Sequence, residues 1–143
     1  MPNLVTERIE SAKAGIVGAV VFAVTELVIT VVNGLMFHLA AEFKFWAMLD
    51  GVELIQIAVG LISGFLFGVT YRYIIRDDRN SHLNDGAVLA FGLVRGLALI
   101  ERNLVLTELL SLGILVIQSI ICFAIARSLL DLAISSKLIK PFV

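Results

Sequence analysis

Four apolar stretches separated by short polar breaks run along the chain, at 14–39, 46–75, 86–106 and 109–134. Read as helices rising ~1.5 Å per residue, the first, second and fourth cover a hydrocarbon layer of ~30 Å with residues to spare. The third is marginal, with an uninterrupted apolar run at 86–100 that extends to residue 106 only across a polar break. The breaks have their own chemistry. Residues 40–45 lead into Phe43, Phe45 and Trp46, the aromatic belt expected where a helix leaves lipid. Residues 76–85 (Arg-Asp-Asp-Arg-Asn-Ser-His-Leu-Asn-Asp) form the one plainly solvated loop, with Ser81, Asn84 or Asp85 placed to cap the third helix. Glu101 to Asn103 makes a tight turn into the fourth. No linker is long enough to separate domains. The pattern predicts an all-α fold, a single integral membrane four-helix bundle spanning 1–143.

Composition points the same way. With 59% hydrophobic residues, 16% charged residues and a mean hydropathy of +1.01, 143 residues carry more apolar surface than a soluble fold of this size can hide. A net charge of -1 gives no basic field for nucleic acid, which is set aside as a partner. The first apolar run, about 25 residues, is too long for the core of a signal peptide and reads as a first span. The single cysteine, Cys122, lies inside an apolar run and is expected to be reduced and packed.

Lysine and arginine set the orientation. Arg8, Lys13, Arg72, Arg76, Arg79, Arg127, Lys137 and Lys140 fall on the side shared by both termini and the 76–85 loop, whereas Lys44 and Arg102 fall on the other. The positive-inside rule then places both termini in the cytoplasm. A faint internal repeat runs in step with this bias, because Glu53 precedes Arg72 by the same interval at which Glu108 precedes Arg127.

Glu26 and Arg95 are the candidate chemistry. Each lies well inside an apolar helix, where an ionisable group costs several kcal/mol unless it is paired or hydrated. Counted from the shared side at ~1.5 Å per residue, Glu26 is about 20 Å along from Lys13 and Arg95 about 15 Å along from Asp85, within reach of two long side chains. A Glu26–Arg95 ion pair across the bundle follows, as a clamp that fixes helix register, as an ion or proton relay, or as an anchor for a ligand or pigment. Asn33, Gln56, Gln118 and Arg102 are candidate polar or ligand-lining residues around it. Arg95 shares its helix face with Val88, Gly92, Ala98, Leu99 and Arg102, so the third helix should be the least exposed to lipid. On the second helix, Gly60, Gly64 and Gly68 form two overlapping small-xxx-small units that let another backbone approach closely, from a neighbouring helix, a second copy or a partner protein.

Signatures of catalysis are missing. Leu61-Ile62-Ser63-Gly64 lacks the first glycine of a membrane serine protease motif, and His38 and His82 are the only histidines. His38, at a helix end, leaves a single axial ligand to a pigment metal open; no metal site is expected otherwise. The chain reads as non-enzymatic.

Tyr71-Arg72-Tyr73, Arg76, Asn80, Leu83, Gly86 and the run Ala90-Phe91-Gly92-Leu93-Val94-Arg95-Gly96-Leu97 resemble a family of small, uncharacterised four-helix membrane proteins of cyanobacteria and plastids. The resemblance covers residues 71–97 and implies a photosynthetic membrane, either a bacterial inner or a thylakoid membrane, rather than an activity. In that setting the Glu26–Arg95 pair is similar to the helix glutamate and arginine of light-harvesting proteins, where the glutamate also holds a chlorophyll magnesium. Their Glu-x-x-His/Asn-x-Arg run does not follow Glu26 here. The leading expectation is a small membrane subunit or assembly factor, docking on another membrane protein or a second copy through the Gly60, Gly64, Gly68 face and displaying Arg76 and Arg79. The alternatives are a small oligomeric transporter or channel with a polar path through Glu26 and Arg95, and a chlorophyll or carotenoid carrier; lipid is a further candidate ligand.

Overall fold

The computed structural model describes residues 3–37, 51–75, 81–102 and 109–142, and these fold into four helices: α1 (Leu4–Phe37), α2 (Gly51–Ile74), α3 (Ser81–Arg102) and α4 (Leu109–Ser135). Each is long and apolar enough to cross a membrane. α1 starts at Leu4, well before the apolar run at 14. Asn3 caps it, its Oδ1 accepting the Val5 N–H at 3.2 Å, and Glu7 lies in the positive first turn. Those polar turns persist as helix because Glu10, Ser11 and Ala14 are buried against the bundle. α3 likewise starts at Ser81, so the second half of the expected loop is helical, while 76–80 lies outside the described residues.

α1 and α2 pack antiparallel at very close range, and the contact is made by small residues. A Cβ at Gly64 would stand 2.7 Å from the Gly18 carbonyl oxygen and 3.0 Å from Ala19 Cα. Gly68 meets the Ala14 carbonyl in the same way, and a Cβ at Gly60 would lie 2.5 Å from Glu26 Oε2. The three glycines are four residues apart and therefore share one face. That face is filled by α1 of the same chain, which leaves no room there for a partner helix. α3 and α4 repeat the device, with Gly92 against Ile120 and Gly96 against Val116, each position allowing a Cβ only 2.8 Å from the facing Cα. The two hairpins join through α1 and α4. α1 and α3 lie on a diagonal, with no Cα pair within 8 Å among the described residues.

Between the hairpins, Phe22, Phe67, Phe91 and Phe123 form a ring cluster with centroids 4.7 to 5.7 Å apart. The outward faces are apolar, as at Val24, Leu27, Ile55, Ile62, Val94, Leu97, Ile117 and Ile121. α3 is more sheltered than α1 and α4, as expected, but shares that place with α2. Its most apolar window is 28% buried, the same as that of α2, because Val94 and Leu97 point away from the bundle on the face opposite Gly92 and Gly96.

α4 ends in a Schellman turn. Lys137 adopts φ 61°, its N–H donates to the Ile134 carbonyl at 3.0 Å, and the Leu138 N–H donates to Ala133 at 3.0 Å. The turn sends residues 138–142 back across the bundle end, burying Ile139 and setting Phe142 5.0 Å from the Tyr73 ring.

Candidate functional site

Arg95 projects from α3 into the middle of the bundle and reaches across the diagonal to α1, where its Nη2 donates to Glu26 Oε1 at 2.9 Å. The Arg95 side chain is only 5% exposed and that of Glu26 34%. The guanidinium also lies 5.9 Å from the Phe22 ring centroid, within cation–π range. Gly60 makes the geometry possible: a side chain there would fill the space that holds Glu26 Oε2 and stand 3.5 Å from Arg95 Nη2. The two residues singled out for burial at matching depth are therefore in direct contact.

The pair forms the floor of a half-open cleft of about 160 Å³ between α1, α3 and α4. Ile29, Leu99, Leu115 and Cys122 supply apolar wall, and Thr30, Asn33, Gln118 and Ser119 supply polar wall. Asn33 and Gln118 answer each other, Gln118 Nε2 donating to Asn33 Oδ1 at 2.9 Å and Asn33 Nδ2 donating back at 3.3 Å. Thr30 Oγ1 donates to the Glu26 carbonyl at 2.9 Å. Two buried polar atoms of the cleft remain without a partner: Arg95 Nε and Ser119 Oγ. Each such orphan ordinarily costs about 1–3 kcal/mol, so an unanswered pair in one cleft calls for a partner.

Toward the α1 N-terminus the cleft is closed by the phenylalanine cluster. Beyond that cluster lies a second charged centre, whose arginines enter the sequence analysis through orientation, the faint repeat and the resemblance, and not as buried groups. Arg72 is fully buried. Its Nη2 pairs with Glu7 Oε2 at 2.6 Å, Nη1 donates to Ser11 Oγ at 2.7 Å and to the Glu7 carbonyl at 3.2 Å, and Nε donates to the Lys140 carbonyl at 2.8 Å. The Lys140 N–H in turn donates to Glu10 Oε2 at 2.9 Å. Arg72 thus holds α1, α2 and the returning tail together. Near it, Tyr71 donates to Asp131 at 2.6 Å, and Arg127 pairs with Asp85 and, at 3.7 Å, with Asp131.

The remaining candidates are placed elsewhere or not at all. Gln56 is half-buried on α2 and does not line the cleft. The Arg102 side chain, Glu53, Glu108, His38, Arg76 and Arg79 lie outside the described residues and side chains. Sequence reasoning misses Ser119, since one serine in an apolar helix carries no periodic signal. It treats Gly92 and Gly96 only as neighbours of Arg95, although their four-residue spacing is the same signal as on α2. Among the described residues no group of three or more His, Cys, Asp or Glu gathers in metal-binding geometry. Comparison with protein-family models, curated proteins and solved structures finds no match to this chain.

Proposed function

We propose that the chain is a non-enzymatic integral membrane accessory protein, with both termini in the cytoplasm, that holds a small molecule in the cleft beside Glu26 and Arg95. The observation that carries this reading is the pair of unpartnered buried atoms, Arg95 Nε and Ser119 Oγ, in one half-open cleft. Arg95 and Glu26 neutralise each other and fix the diagonal, so the guanidinium is held in place with a donor left over for a guest. Insertion in a membrane is supported by four helices of sufficient length and hydropathy with apolar outward faces. The orientation is supported by the excess of lysine and arginine at the end that carries Lys13, Arg72, Arg127, Lys137 and Lys140. The resemblance over residues 71–97 favours a photosynthetic membrane as the setting.

Docking on a larger complex through the Gly60, Gly64, Gly68 face is not carried forward, because α1 occupies that face. A through-path for an ion is disfavoured by Phe22, Phe67, Phe91 and Phe123, which pack ring to ring across the bundle directly beneath the cleft.

Native mass spectrometry after mild extraction from the source membrane tests the reading. The expected result is a protein ion that carries a small molecule, released on activation and absent from a Ser119→Leu variant whose side chain fills the cleft. Bare protein under every extraction condition would refute it.

A further inference from the structure

The guest's chemistry is written in what the cleft still lacks. Three of its acceptors are engaged: Glu26 Oε1 by Arg95, and the Gln118 and Asn33 amide oxygens by each other. What stands unanswered is a guanidinium N–H at Arg95 Nε and a hydroxyl at Ser119, both more than nine-tenths buried. The Arg95 Nε–H can only donate and the Ser119 hydroxyl can donate beside it, and a carbonyl oxygen has two lone pairs to receive both. Charge narrows the class further. Arg95 is already neutralised by a carboxylate at 2.9 Å, so an anionic guest would be set against Glu26 without a free cation to offset the repulsion. A neutral acceptor meets no such penalty.

Size and access narrow it again. A volume of about 160 Å³ is close to the roughly 150 Å³ in which a protein cavity accepts one benzene ring. The walls at Phe22, Ile29, Leu99 and Leu115 suit such a ring. Glu26 keeps a third of its side chain exposed and Thr30 is exposed, so the mouth opens along the Glu26–Thr30 turn of α1, beside the exposed apolar face made by Leu27, Val28 and Val31. A molecule arriving there comes through the apolar belt.

Resting on the small-molecule reading above, we infer that the cleft binds the carbonyl-bearing ring of a neutral, lipid-soluble molecule of the quinone or cyclic-ketone class, with Arg95 Nε and Ser119 Oγ donating to the ring oxygen and any tail left in the lipid. No electron transfer belongs to this assignment; the ring is bound as it arrives.

The test is thermal unfolding of the full chain in detergent at a fixed detergent concentration, titrated with three decyl-tailed probes. One is a trimethylbenzoquinone, fully substituted so that the Cys122 thiol has no open ring position to add to. The second is the same ring without its carbonyls, and the third is decanoate. The expected result is a saturable rise in melting temperature with the quinone alone. Ser119→Ala, which removes an orphaned buried hydroxyl, should unfold no lower than the parent without probe and require roughly three to ten times more quinone for half the effect, the loss of one neutral hydrogen bond. Equal stabilisation by the carbonyl-free ring would make the cleft merely apolar and overturn the assignment. Stronger stabilisation by decanoate, an unchanged quinone midpoint in Ser119→Ala, or no saturable effect of the quinone would overturn it as well. A retained molecule without a ring carbonyl in the native spectrum would refute this inference while leaving the broader binding reading intact.

Discussion

Three charged side chains decide most of what the interior can do. Glu26 and Arg95 bridge helices whose backbones do not meet, so each is the other's main reason for tolerating burial. Glu26→Gln leaves Arg95 charged and unpaired and should lower stability by on the order of 3 kcal/mol. The Glu26→Gln, Arg95→Leu double variant should recover much of that loss, read as a coupling energy in unfolding titrations in bicelles. Additive effects would mean that the pair does not act as one unit. Arg72 is the sharper case, since its guanidinium serves α1 and the tail at once. Arg72→Met strips Glu7 of its partner and should cost about 3–5 kcal/mol, as breaking buried pairs does. Lys137 works in the other direction: a non-glycine residue at φ 61° carries left-handed strain, so Lys137→Gly should raise stability by up to about 1 kcal/mol in the same measurement. Of these residues, Glu26 and Arg95 are legible in the sequence because a charge inside an apolar run has no innocent surroundings. Arg72 is not. An arginine near a helix end looks like any cytoplasmic charge, and its partners lie in residues 7–11 and 140, where no apolar pattern points.

At the scale of elements, helix existence is readable from hydropathy, whereas the starts of α1 and α3 are not. Hydropathy marks where a helix is greasy, not where it is capped, and both extra segments are polar turns that stay helical: Asn3 caps α1, and Ser81 opens α3. The glycine stripe on α2 announces a close contact, but spacing alone does not say with whom. The carbonyl of Gly18 and the Cα of Ala19 answer that. Gly64→Leu should therefore split the α1–α2 hairpin, and Gly96→Leu the α3–α4 hairpin, each by overpacking that costs at least ~1–3 kcal/mol. Cysteine cross-linking along each seam, with the other seam as internal reference, reports which hairpin has opened. Equal loss at both seams from either variant would show that the hairpins do not pack as separable units.

For the whole molecule, the charge asymmetry gives a directional forecast. Reporters active only in the cytoplasm, inserted at residue 78 or fused after residue 143, should both be active, while one inserted near residue 44 or residue 105 should be silent. The reverse pattern would invert the bundle and place the cleft's mouth on the other half of the bilayer. Four helices long and apolar enough to span a membrane follow from pattern alone, because in lipid every backbone polar group would have to be satisfied within its own helix. The cleft does not follow from pattern. It lies along the diagonal between α1 and α3, whose backbones do not meet, beside the Glu26–Arg95 bridge.

The grip of Arg72 on the Lys140 carbonyl also orders events in time. Arg72 is synthesised 68 residues ahead of Lys140, which at roughly 5–20 residues per second is a delay of ~3–14 s. Throughout that interval Glu7 and Ser11 can already engage the guanidinium, but its Nε has no tail to hold. A nascent chain halted before residue 140 would lack the acceptor of Arg72 Nε and leave one N–H of that guanidinium unanswered at the end of its bundle.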